Sequence, residues 1–76
     1  MKRKDLENYI CDINKRLIKI QFKLGHQYDY YTIELFLLTE NQEYRYQSIA
    51  FAGSKKECYN FVESFMSVLF VSKIEI

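Results

Sequence analysis

The sequence predicts an α+β fold: a two-layer sandwich in which an antiparallel three-stranded sheet carries two helices on one face, in the order α-β-β-β-α, with room for a short C-terminal strand. Three observations lead there. Leu6, Ile10, Ile13 and Leu17 recur at helical spacing. The pattern then switches to strict alternation over Ile18, Ile20, Phe22 and Leu24. Finally, Ser54-Lys55-Lys56-Glu57 has the S-x-x-E spacing of a helix capping box, placed just ahead of a second helical stripe.

Taken in order, the first helix runs from about Lys4 to Arg16, with Asp5 and Glu7 near its start and Lys15 and Arg16 near its end, as the helix dipole favours. The first strand follows and stops at Gly25, so that His26-Gln27-Tyr28-Asp29 reads as a loop. Tyr30 to Thr39 is β-branched and aromatic, with Ile33, Leu35 and Leu37 on one face and Thr32, Glu34, Phe36 and Leu38 on the other. A polar tip, Glu40-Asn41-Gln42-Glu43, turns the chain into a third strand from Tyr44 to Phe51. The second helix carries Cys58, Phe61, Val62, Phe65 and Leu69 on one stripe, and Val68 to Ile76 also reads as a short strand. The expected core is Leu6, Ile10, Ile13, Leu17, Ile20, Phe22, Ile33, Leu35, Leu37, Val62, Phe65 and Leu69. Sequential strands usually pair, so the sheet is antiparallel and its second face is left open.

With 76 residues the chain supports one domain, residues 1–76, and one core. Apolar residues make up 49% and Pro is absent, which excludes the disordered and collagen-like classes. The net charge of +1 gives no dominant attraction to nucleic acid or to a membrane surface. That mean conceals an uneven distribution: residues 1–24 hold seven basic side chains against three acidic, and residues 25–52 hold one against four. No apolar run approaches the ~18 residues of a membrane span, and no signal-peptide pattern follows Met1-Lys2-Arg3-Lys4. Cys11 and Cys58 are too far apart for a paired metal motif, so neither a metal nor a cofactor is expected, and a reducing cytoplasm is the default compartment.

Catalysis is not expected either. A nucleophile needs an oriented base, and the only imidazole is His26, while Cys58 falls on the buried stripe of the second helix. Cys11 falls off the apolar stripe of the first helix. The residues point instead to a non-enzymatic protein-binding module. Tyr28, Tyr30, Tyr31, Tyr44 and Tyr46 gather on the strands with Phe36 and Leu38, and an exposed aromatic group of this kind marks an interface, with Glu40 and Glu43 at its rim. Self-association into a homodimer is the simplest form of it.

The element order, the His after Gly25 and Gly53-Ser54-Lys55-Lys56-Glu57 at the last helix together resemble the double-stranded RNA-binding domain. That resemblance implies an alternative function, with Lys55 and Lys56 on phosphates and His26 in a minor groove. Cys58 and Tyr59 stand where that family's motif has Ala and Lys. In size, element order and makeup the chain is also similar to small accessory inhibitors of phages and mobile elements, the anti-CRISPR proteins among them, which implies an inhibitor of a host defence protein.

Overall fold

A computed structural model describes residues 1–38 and 44–72. The elements are α1 (Arg3–Lys15), β1 (Ile20–Gln27), β2 (Tyr30–Leu38), β3 (Tyr44–Gly53) and α2 (Lys55–Ser72). The strands form one antiparallel sheet in the order β1-β2-β3, and the expected two-layer α+β architecture is the one found. Helix α1 packs on β1, and α2 packs on β2 and β3.

Each helix begins where its local chemistry says it should. The Asp5 carboxylate accepts the Lys2 N–H at 3.2 Å, and Arg3 pairs with Glu7 at 2.9 Å one turn on. At α2 the capping box forms in full: the Glu57 N–H donates to Ser54 Oγ at 3.2 Å and the Ser54 N–H to Glu57 Oε1 at 3.1 Å. These bonds to Ser54 hold the Glu57 carboxyl below its ordinary value. The α1 end is closed by Gln21, whose Nε2 donates to the carbonyls of Asn14 and Leu17 at 3.2 and 3.1 Å.

The core lies between the helices and one sheet face. Leu6, Ile33, Val62 and Cys58 are fully buried, with Ile10, Ile13, Leu17, Ile20, Phe22 and Leu69 nearly so. Beneath α2 a row of rings crosses the sheet: Phe22 meets Phe65 edge-on at 5.5 Å, Phe65 neighbours Phe61 at 6.0 Å, and Phe61 stacks on Phe51 at 4.9 Å. Between the helices, Tyr9 and Tyr59 lie 4.5 Å apart and the Tyr9 hydroxyl donates to Glu63. Burial and the Glu63 carboxylate push the Tyr9 hydroxyl well above its ordinary value.

The structure corrects four expectations. His26 and Gln27 are strand residues, paired with Tyr31 and Tyr30, so β1 continues past Gly25 and only Tyr28 and Asp29 remain in the turn. Gly25 serves a different purpose: a Cβ built on it would lie 2.4 Å from Thr32 Oγ1 on the neighbouring strand. Residues Val68 to Ser72 continue α2, whose buried stripe Cys58, Val62 and Leu69 keeps helical spacing without a break. The rest of the C-terminal strand expectation, and Glu40 and Glu43 at the hairpin tip, lie outside the described residues. Leu37 is 37% exposed, in the row at the end of the sheet where its partner Ile20 is buried. Ile18 is exposed in the α1–β1 connection, ahead of the strand.

The Gly25 contact gives a direct test. Gly25→Ala is expected to destabilise the domain by about 1–3 kcal/mol through overpacking. In a Thr32→Ala background the same change should cost almost nothing, because the nearest remaining Thr32 atom, Cβ, is at 3.9 Å. Urea titration of the four proteins of this cycle measures the coupling.

Candidate functional site

Among the described residues both helices pack on one face of the sheet, and its other face is assembled by register. Three cross-strand rows lie on it: Gln21 beside Phe36, Lys23 beside Glu34 and Ile49, and Gly25 beside Thr32 and Ala52. Gln27 and Tyr30 close the hairpin, with the Tyr30 hydroxyl donating to Gln27 Oε1 at 2.9 Å. Small and polar groups occupy the middle of this face, where Thr32 is buried among its neighbours, and Phe36, half-buried, and Ile49 form its apolar flank. Ile49 is 55% exposed.

Ile49 was not legible as a surface group in the sequence. By simple alternation it would share a face with Phe51. The pairing shifts between Ile33 and Glu34, whose partners are Phe51 and Ile49, so Ala50 is an extra residue and the two side chains part to opposite faces. Phe51 then packs under α2 and Ile49 is left outside.

The tyrosines are distributed over three places. Tyr28 is at the tip of the β1–β2 turn, 93% exposed, with a left-handed φ of 52°. Tyr30 is half-buried on the open face. Tyr31 belongs to the helix-covered face, packed against the core and stacked on His26 with ring centroids 4.3 Å apart. On the backbone, Tyr44 is paired with Leu38 and Tyr46 with Leu37.

The row His26, Tyr31 and Gly53 runs across all three strands at the end where α2 begins. It therefore brings His26 to the same end of the domain as Lys55 and Lys56. The chain directions put the start of α1, with Lys2, Arg3 and Lys4, at that end as well. Between β1 and β2, however, the loop is only two residues long.

The two outer strands present different edges. On β1, the Asn14 side chain lies along the strand: its Nδ2 donates to the Phe22 carbonyl at 2.8 Å and its Oδ1 accepts the Phe22 N–H at 2.8 Å. An amide side chain thus stands in for a neighbouring strand. Along β3, no element pairs with the outer edge among the described residues. A shallow groove of about 330 Å3 runs beside that edge, lined by Phe51, Glu57, Asn60, Phe61 and Ser64. A second groove, of about 420 Å3, lies between α1 and β1 and includes the exposed Cys11.

Chemically reactive groups are sparse at these surfaces. Burial pushes the Cys58 thiol up, and its Sγ lies 3.6 Å from the Tyr31 carbonyl oxygen. Among the described residues, no cluster of three or more His, Cys, Asp or Glu is placed to hold a metal ion, and no helix is long and apolar enough to cross a membrane. No protein-family model, curated protein or solved structure matches this chain.

Proposed function

We propose that the chain is a non-enzymatic protein-binding module that presents the uncovered sheet face to a partner protein. The observation that carries this reading is the one-sided cover of the sheet, which leaves Ile49 more than half exposed beside the Phe36 side of the face. Tyr28 and Tyr30 supply the rim at one end. A cytoplasmic inhibitor of a host defence protein, of the kind phages and mobile elements carry, is the role that this size and surface fit.

Tyr28 offers a test that separates binding from folding. A non-Gly residue in the left-handed region costs about 1–2 kcal/mol, and Gly returns part of that to the unfolded chain. Tyr28→Gly is therefore expected to raise stability by about 0.5–1 kcal/mol while weakening capture of the partner. Phe36→Asp should abolish capture with the circular-dichroism spectrum unchanged, and binding should vary little with salt. Capture that survives Phe36→Asp would overturn the reading.

A second reading has its own supporting observation, the gathering of His26, Lys55 and Lys56 at one end of the domain. On that reading the module binds double-stranded RNA there. The two-residue turn gives His26 little reach into a groove, and its ring is already stacked on Tyr31. RNA binding would show affinity that falls steeply with salt and is lost in a Lys55→Glu/Lys56→Glu variant.

A further inference from the structure

We propose that a second copy of this chain pairs along the outer edge of β3. The two strands run antiparallel about a two-fold axis near Ile49, so two three-stranded sheets join into one of six strands, with the α2 helices side by side over the seam. This surface is separate from whatever the open face binds.

The edge itself is the first argument. β3 is the longest strand, with ten residues, and over Tyr44–Gly53 it contains no Pro and one charged residue, Arg45. Long, weakly charged edges are templates for another strand unless something blocks them. On its other edge the same molecule occupies one outward position, where Asn14 takes both backbone groups of Phe22. Phe22 turns its N–H and C=O outward to Asn14, so its partner Leu35, and with it Ile33 and Tyr31, turn theirs toward β3; Phe51 and Gly53 therefore bond inward and the N–H and C=O of Ala52 point away from the sheet. The bulge at Ala50 divides this edge and increases its twist, so backbone pairing alone makes a short seam.

What identifies the occupant is the helix beside the edge. Phe61, Ser64 and Val68 follow each other at spacings of three and four and so form one stripe of α2. Phe61 stacks on Phe51, which places that stripe on the β3 side. Val68 on this stripe is 61% exposed. A lone extended peptide would cover the edge and leave Val68 in solvent. A second copy brings a strand and a helix together, so the edge and Val68 are covered at once. Strands in a sheet are about 4.8 Å apart, and α2 overlies β2 and β3, so the two α2 axes would come within about 10 Å, a normal packing distance. The two-fold axis then sets Phe61 against Val68 of the second copy, with the small Ser64 at the crossing. A seam ten residues long and two layers deep buries on the order of 700 Å2 per copy, the size of a standard stable interface.

Light scattering and sedimentation of the full chain across a concentration series decide it. The expected mass is twice the 9.2 kDa of the chain. Val68→Glu and Ala52→Pro should each weaken the pair by roughly tenfold or more, and Phe36→Asp should leave it intact. Hydrogen exchange of the β3 amides should slow as concentration rises. Ala52→Pro could disturb the strand; Val68→Glu, at an exposed helix position, keeps the test decisive if circular dichroism shows that the proline variant unfolds. A wild-type chain that stays at 9.2 kDa up to roughly millimolar concentration overturns the proposal. So does a dimer that Phe36→Asp dissolves and Val68→Glu does not, which would move the second copy to the open face.

Discussion

Leu6→Ala is expected to remove about 2–5 kcal/mol of stability, the range for truncating a buried leucine where the surroundings cannot collapse into the space. Leu6 is completely buried in the core cluster with Cys58, Val62 and Ile33, where α1, α2 and the middle strand meet. All three elements are tied to one another there, so none can move in to fill the cavity alone. A domain of this length has a total stability on the order of 4–11 kcal/mol. The variant should therefore lose a large share of its folded margin and be measurably unfolded at body temperature. Urea denaturation gives the number. Cys58 gives an independent reading: its thiol is buried and its ionisation suppressed, so in a Cys11→Ser background its reaction with a thiol reagent reports opening of the core. The wild type should react slowly and Leu6→Ala at least tenfold faster. A loss below about 1 kcal/mol would mean that the helices repack around the missing methyls and that the core is less constrained than its burial indicates.

How far the fold could be read from the sequence depended on how local each signal was. The α1 stripe, the capping box and the alternation of β1 and β2 each act within a few residues, and the structure reproduces them. The box even places the first turn of α2 to the residue, because Ser54 and Glu57 need no partner outside the motif. Signals that depend on a neighbouring strand were read wrongly or not at all. Gly25 looks like a strand end until Thr32 is set opposite it, and then it is the residue that lets Thr32 fit. Ile49 has the parity of Phe51 in the sequence, and only the bulge at Ala50 turns it to the other face. The candidate surface shares this limit. Phe36 and the tyrosines could be named in advance, but their division among the open face, the turn and the helix side follows from pairing register. The helical stripe of Phe61, Ser64 and Val68 acquires meaning only when Phe51 places it over the β3 edge.

Asn14→Ala is expected to have two effects that a simple cap or packing residue would not combine. In the native domain the Asn14 amide satisfies the Phe22 N–H and C=O together, at 2.8 Å each. Removing it leaves two part-buried backbone groups without partners, at a cost of about 1–3 kcal/mol. Asn14→Asp should recover little of this. A carboxylate can accept from the Phe22 N–H, but it has no donor for the Phe22 carbonyl and sets negative charge against it. The second effect concerns assembly. In the proposed pair the two-fold axis uses up the β3 edge on both copies, so the assembly closes. Without Asn14 the β1 edge is also open at Phe22, in a strand that carries the apolar alternation Ile20, Phe22 and Leu24. A β3 edge can then add to the β1 edge of the next chain in a head-to-tail contact that does not close. Asn14→Ala should therefore scatter light increasingly with time and concentration under conditions where the wild type keeps a constant mass, and Asn14→Asp should do so less, since its charge still guards the edge. If Asn14→Ala loses stability but keeps the wild-type mass, the amide is a hydrogen-bonding bracket between α1 and β1 and no more. If it assembles and Val68→Glu added to it slows the growth, both edges take part, and the difference between them is what limits this chain to a pair.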